Sequence, residues 1–293
     1  MIHRLVFALV ANDADKTKQP PKPTVDWECC FNRKQKRHEC TVCRDICPKN
    51  AIVYDGQIKI NKNLCNGCHL CHGVCPTQCI YQQSGFIRGG NGEDNPVLMF
   101  CCRQCKAGSM EVSLPCIASM PWEFYALASY QNPISIRAEA CATCPLGLNA
   151  ENYILAIHQN LQIFWGDAYG KKILCHTAAP ATEYSRRELF GIFVRKPKKP
   201  AFADVFEMDK AIKKHPAFYR NLLLNQLYNE SQSHGWKTWL INQNCDGCGI
   251  CEKLCPCGAL QMTEEGRPHH NATLCLNCGL CKIICPQKAL QQN

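Results

Sequence analysis

Two stretches, CDGCGICEKLCP and CLNCGLCKIICP, carry the clearest chemistry in this 293-residue chain. They place Cys245, Cys248, Cys251 and Cys255 before Pro256, and Cys275, Cys278, Cys281 and Cys285 before Pro286. A third stretch, CNGCHLCHGVCP, repeats the spacing with Cys65, Cys68, Cys71 and Cys75. A fourth, CCFNRKQKRHECTVCRDICP, keeps Cys40, Cys43 and Cys47 in register, and a longer loop displaces its first cysteine to Cys30 or Cys29. Three thiols at two-residue gaps wrap a short loop around three corners of a cube, and the fourth starts the next helical turn and faces away. The proline fixes φ, ends the loop and gives up a donor not needed there. Gly247, Gly249 and Gly279 let backbone N–H groups turn toward anionic sulfides. This is the ligand spacing of iron–sulfur clusters, whereas zinc ribbons use separated C-x2-C pairs.

The runs resemble the two-cluster bacterial ferredoxins. The resemblance implies crossed ligation, in which the fourth cysteine of each run serves the other run's cluster. At the C-terminal end that gives Cys245, Cys248, Cys251 and Cys285 on one [4Fe–4S] cluster, and Cys275, Cys278, Cys281 and Cys255 on the other. At the N-terminal end it gives Cys30 (alternate Cys29), Cys40, Cys43 and Cys75 on one, and Cys65, Cys68, Cys71 and Cys47 on the other. Cys79 and Cys257 follow fourth cysteines already assigned and read as small packed residues. His269 and His270, between the C-terminal runs, read as solvent-facing turn residues.

Between the ends the pattern changes. VLMFCC (97–102), ISIRAEA (134–140) and KKILCHTA (171–178) read as strands, and WEFYALASY (122–130) and AENYILAIHQNLQIFW (150–165) as helices. Strand–helix alternation implies a small parallel sheet with covering helices. Cysteines fall at its loops: Cys101 and Cys102 after the first strand, Cys116 after Pro115, Cys141 and Cys144 after the second. Such carboxyl ends are where ligands collect in open parallel sheets. Read from the residues alone, Cys141 and Cys144 form a cluster site, a dithiol exchange site, or packed or zinc-bound thiols. The layout FCC…LPC…CATCPLG resembles a domain of iron–sulfur proteins related to the delta subunits of methyl-viologen-reducing hydrogenases. That resemblance implies a fifth cluster on Cys102 (or Cys101), Cys116, Cys141 and Cys144, with Cys105 competing. CCR at 101–103 is also similar to the CCG domains of heterodisulfide reductase, but Arg103 replaces the glycine after the pair.

The remaining features set limits. Cysteine makes up 26 of 293 residues, a density that marks a disulfide scaffold only in short secreted chains. The formal charge of +9 counts every cysteine as neutral. Each oxidised [4Fe–4S] site with four thiolates adds about −2, so five sites bring the total near neutral. No nucleic-acid motif accompanies the basic residues. LVFALVA near the start reads as a buried or pairing strand, and no stretch approaches the roughly 20 apolar residues that span a bilayer. GFIRGGNGED lacks the order of a phosphate loop, and the twin arginines of YSRRELF lie deep inside the chain.

The expected architecture is α+β, two ferredoxin-like dicluster domains (1–95 and 236–293) flanking a small α/β parallel-sheet domain (96–182), with a basic helical linker region at 183–235. The expected role is a cytoplasmic electron-transfer polyferredoxin carrying four clusters and a fifth in the centre, with no catalytic residue of its own. Its expected partners are a catalytic oxidoreductase subunit and another electron carrier. Peripheral contact with a membrane complex is compatible with this role, and nucleic acid is not expected. The competing readings are a disulfide or sulfur reductase working through the central cysteines, and a zinc-binding protein.

Overall fold

The computed structural model describes residues 21–34, 40–81, 97–103, 105, 111–130, 133–176, 223–224, 227, 234–255 and 257–292. LVFALVA, the GFIRGG loop, the twin-arginine segment and nearly all of the expected linker helices lie outside the described residues.

Each ferredoxin-like end folds by one rule, because each repeats the same cysteine run twice. At the N-terminal end, β1 (Thr24–Val25) is followed by α1 (Phe31–Lys34) and α2 (Val42–Asp45). The hairpin β2 (Ile52–Tyr54) and β3 (Ile58–Ile60) comes next, then α3 (Leu70–Val74) and β4 (Ile80–Tyr81). β4 returns antiparallel to β1, pairing Val25 with Ile80. Every element here is five residues or shorter.

The centre is a four-stranded parallel sheet: β5 (Leu98–Cys102), β6 (Glu111–Leu114), β7 (Ile134–Arg137) and β8 (Ile173–His176), in the order β6-β5-β7-β8. α4 (Trp122–Ala128), the 19-residue α5 (Gly147–Trp165) and the short α6 (Tyr169–Lys172) complete it. Along α5, Ala150, Ile154, Ile157, Leu161 and Phe164 are buried at three- and four-residue spacing, which lays one face on the core. Phe100, Leu114, Ile134 and Ile136 of the sheet and Tyr125 of α4 are fully buried in the same core. β6 is a strand beyond the three read from the sequence. Only Val112 and Leu114 of its four residues carry the buried apolar signal, too few to show a period. The structure also ends the β7 strand at Arg137 rather than residue 140, and begins α5 at Gly147 rather than residue 150. Because β6 lies on one side of β5 and β7 on the other, a crevice opens at the carboxyl ends of β5 and β7.

The C-terminal end repeats the first pattern. β9 (Trp239–Ile241) precedes α7 (Ile250–Leu254) and the hairpin of β10 (Leu260–Met262) and β11 (Pro268–His270). α8 (Leu280–Ile284) and β12 (Leu290–Gln292) close it, with β12 antiparallel to β9.

Several contacts join these parts, among them the packing of Trp236, at the start of the C-terminal unit, on Trp122 and Phe164 of the centre. α3 is seated on the turn Ile117–Ser119 of the centre, where His72 Nδ1 donates to Ser119 O at 2.7 Å and Tyr153 donates its hydroxyl to Gly73 O. Phe31, Leu280 and Ile284 form a separate apolar cluster between the two ferredoxin-like ends. Among the described residues, no helix is long and apolar enough to cross a membrane.

Candidate metal centres

The turn after each run is built the same way four times. Asn50, Gln78, Gly258 and Lys288, three residues beyond Cys47, Cys75, Cys255 and Cys285, all take positive φ. That bend aims the next backbone N–H at the cysteine sulfur: Ala51 at Cys47 (3.3 Å), Ala259 at Cys255 (3.2 Å) and Ala289 at Cys285 (3.3 Å). An N–H aimed at sulfur favours the thiolate a cluster requires. Cys79 stands where the other runs have alanine, and its thiol lies 3.5 Å from the Cys75 sulfur. Hydrogen bonding from Cys79 holds Cys75 down at about 6, and the Cys257 thiol, 3.7 Å away, holds Cys255 down at about 5. Cys79 and Cys257 are packed in the cores of their units, as expected, and their thiols also lie against the sulfurs of Cys75 and Cys255.

Two small cavities, each about 20 Å³, are lined by thiols. One is lined by Cys255, Cys257, Cys275, Cys278 and Cys281, the other by Cys47, Cys65, Cys68 and Cys71. In both, three thiols come from one run and the fourth cysteine of the neighbouring run joins them, accompanied in the first cavity by Cys257. Burial pushes Cys278 and Cys68 up to about 11 and Cys281 up to about 12, with the neighbouring thiols of the same ring adding to it. These groups are called below the Cys275 set and the Cys65 set.

The other two sets are assembled differently. Asn32 closes the inserted basic loop, donating to Cys40 O at 2.9 Å while Oδ1 accepts from Cys40 N. That clamp carries Cys30 to the side of Cys40. Burial pushes Cys43 up to about 12, followed by the charges of Cys75, Cys40 and Cys30, which makes these four a Cys40 set. Cys29 instead donates to Asp26 Oδ2 at 3.5 Å. In the Cys245 set, burial and then Cys245 and Cys248 raise Cys251. Gln287 bonds Asp246 at 3.0 Å and so brings the turn after Cys285 onto the Cys245 loop.

In the centre, Cys101 and Cys102 are the last two residues of β5 itself, not of the loop after it. Cys102 shares the core face with Phe100, and Cys101 alternates to the opposite face. Burial raises Cys116, and the charges that add to it are those of Cys102, Cys141 and Cys144. Burial also pushes Cys141 up to about 12, with Cys102, Cys144 and Cys105 contributing. Cys105 lies 3.7 Å from Cys102, sulfur to sulfur. The structure thus brings together the five thiols Cys102, Cys105, Cys116, Cys141 and Cys144.

His269 is exposed as expected, but His270 is not a free turn residue. It is half-buried at the end of β11, lines the cavity of the Cys275 set and accepts the Trp239 N–H at Nδ1, 3.2 Å away. Asn32, Trp239 and His270 are contributors that spacing alone did not reveal. Their signal was only proximity to a run, which becomes informative once the strands are paired.

Among the described residues, no group of three or more His, Cys, Asp or Glu side chains is drawn together tightly enough to hold a single metal ion. The donors that line the two cavities are mainly thiols, the ligand type of iron–sulfur clusters.

Comparison with known proteins agrees. Residues 244–289 match the 4Fe-4S dicluster domain family and residues 58–81 the 4Fe-4S binding domain family. Hydrogenase-4 component A of Escherichia coli is 30% identical over 97 residues, covering 27% of this chain and 46% of that protein. Pyruvate synthase subunit PorD of Thermotoga maritima is 43% identical over 49 residues, covering 16% of this chain and 50% of that protein. An uncharacterized ferredoxin of Methanocaldococcus jannaschii is 30% identical over 66 residues, covering 22% and 40%. The chain spans half or less of the length of each of these relatives. Both ends are thus ferredoxin-type 4Fe-4S domains, and [4Fe–4S] clusters are their cofactor.

Proposed function

We propose that this chain is an electron-transfer iron–sulfur subunit of a larger oxidoreductase, with four clusters in two dicluster units and a fifth in the central sheet. The units correspond to residues 1–95 and 236–293, the centre to 96–182, and a linker to 183–235. The observation that carries the reading is the pair of cavities in which one cysteine run completes the ring of another. The clusters supply one-electron exchange. The protein supplies thiolates, N–H and S–H donors to their sulfurs, and burial, which together set the potentials.

Ligands are assigned as the Cys40, Cys65, Cys245 and Cys275 sets, plus Cys102, Cys116, Cys141 and Cys144. Cys105 is the alternate in the centre. A dithiol reductase at Cys141 and Cys144 uses two thiols and leaves without a role Cys102, Cys105 and Cys116, which pack in the same core cluster as Cys141. The partners are a catalytic subunit and a second electron carrier in the cytoplasm, consistent with relatives that are components of a hydrogenase and a pyruvate synthase.

Iron and acid-labile sulfide analysis of anaerobically purified protein tests the count. Five sites give about 20 irons per chain, and Cys116→Ser lowers that by about four. Zinc in place of iron would overturn the reading, and an unchanged iron count in Cys116→Ser would remove the central cluster from it.

A further inference from the structure

We propose that the five thiol sets stand in one unbranched order, with the Phe31–Leu280–Ile284 cluster as the seam where electrons cross between the two ferredoxin units. The order runs from the central set to the Cys65 set, the Cys40 set, the Cys275 set and the Cys245 set. It rests on the functional reading above and adds a path to it.

The first link follows from how α3 sits. Cys116 is followed directly by the turn Ile117–Ser119, and α3, which carries Cys71, is bonded to that turn through His72. Cys68 packs against the central core. On the other side, Asn149 donates to Asp45 O at 3.4 Å, two residues before Cys47. Cys47, Cys68 and Cys71 all belong to the Cys65 set, so that set faces the centre.

The second link lies inside the N-terminal unit. Cys43 and Cys75 of the Cys40 set and Cys71 of the Cys65 set are buried in one and the same core, with Cys47 packed against it.

The third link is the seam. Phe31 follows Cys30, and Leu280 and Ile284 lie on α8 beside Cys281 and Cys285. All three are buried, with exposures of 7%, 7% and 6%. Cys40 and Cys278 pack against the same cluster, one from each unit. A dry apolar contact bordered by one ligand from each side fixes the approach of the two sets and excludes water from between them.

The last set lies beyond the Cys275 set in the same unit. It opens outward at Cys248, which is the exposed cysteine among those described. One end of the path is therefore open to an external carrier, while Cys30, Cys43, Cys71, Cys75 and Cys275 in its middle are buried. Each passage moves one electron, oxidising the donor cluster from 1+ to 2+ and reducing its neighbour from 2+ to 1+. No bond or proton changes, and the external reductant is a one-electron carrier, replaced in the experiment by dithionite.

Stepwise anaerobic reduction of the full chain, followed by low-temperature EPR, tests the order. The unaltered protein is expected to show spin–spin splitting between clusters of the two units. Phe31→Lys and Ile284→Lys, on opposite lips of the seam, are expected to abolish it while iron and sulfide stay at the unaltered level. Two non-interacting groups of signals in the unaltered chain at full iron content would overturn the proposal. So would splitting that survives in an iron-replete seam variant. Low iron in the unaltered chain would strike instead at the functional reading, so the two failures are distinguishable.

Discussion

Trp239 Nε1 and His270 Nε2 are buried without a partner among the described residues, and both side chains line the cavity of the Cys275 set. A buried donor without a partner costs about 1–3 kcal/mol, so its retention calls for an acceptor. His270 Nδ1 accepts from the Trp239 backbone, which leaves the proton on Nε2. Burial lowers the His270 pKa, so the ring is neutral and still a donor. Cluster sulfur is the acceptor chemistry at hand, and donors to sulfur stabilise the more negative, reduced form. Trp239→Phe keeps the ring's packing and removes the donor. It is expected to leave iron content intact and to lower the potential of one cluster by about 60 mV, a tenfold one-electron shift. An EPR-monitored redox titration reads this directly, and an unmoved potential would mean that Nε1 does not reach the cluster. None of this was legible in the sequence. The runs announced themselves because a ligand set written into twelve consecutive residues needs no tertiary information. His270 and Trp239 lie 31 residues apart and meet only when β11 and β9 come together.

At the scale of elements, the pairing of α3 with the turn Ile117–Ser119 depends on one missing side chain. A Cβ on Gly73 would sit 2.1 Å from Ala118 O, a backbone atom that cannot swing aside. Overpacking of this kind costs about 1–3 kcal/mol, more than the helix propensity of up to about 1 kcal/mol that alanine returns. Gly73→Ala is therefore expected to lower the apparent Tm and to loosen α3 from the centre. Gly170→Ala serves as the control, because no atom lies within 4 Å of its Cβ position and propensity alone acts there. A Tm for Gly73→Ala equal to that of the control would show that α3 is not held against the turn. The long amphipathic α5 and the strand VLMFCC were readable from periodicity. β6 was not, because four residues with two buried side chains do not establish a period, and without β6 the crevice between β5 and β7 has no basis. The displaced first cysteine shows the same limit: both Cys29 and Cys30 fit the spacing, and only the fold shows Cys29 against Asp26 and Cys30 in the core with Cys43 and Cys75.

The molecule as a whole divides its stability unequally. The central core gathers Phe100, Leu114, Tyr125, Ile134, Ile136 and Phe164, all essentially inaccessible, from a four-stranded sheet and its helices. The C-terminal unit has a core of Trp239, Ala259, Leu260 and Leu290 plus two cysteines, and the N-terminal unit has Ile52, Ile58 and Ile80 among five cysteines. Cores that small do not hold a fold unaided, and metal-binding energy takes their place as folding energy. Stripping the clusters with ferricyanide and a chelator, then restoring the thiols, should therefore act region by region. Hydrogen exchange read by mass spectrometry is expected to lose protection throughout 236–292. It should persist over 117–130 and 147–165, away from the central thiols, where the large apolar core of sheet and helices outweighs the loss of one cluster. The N-terminal unit should fall between, because Leu70 of α3 is buried in the central core and the His72–Ser119 bond persists after the clusters leave. Reconstitution with iron and sulfide should return protection to both ends. Uniform loss across all three regions would mean that the sheet has no stability of its own and that the clusters hold the entire chain.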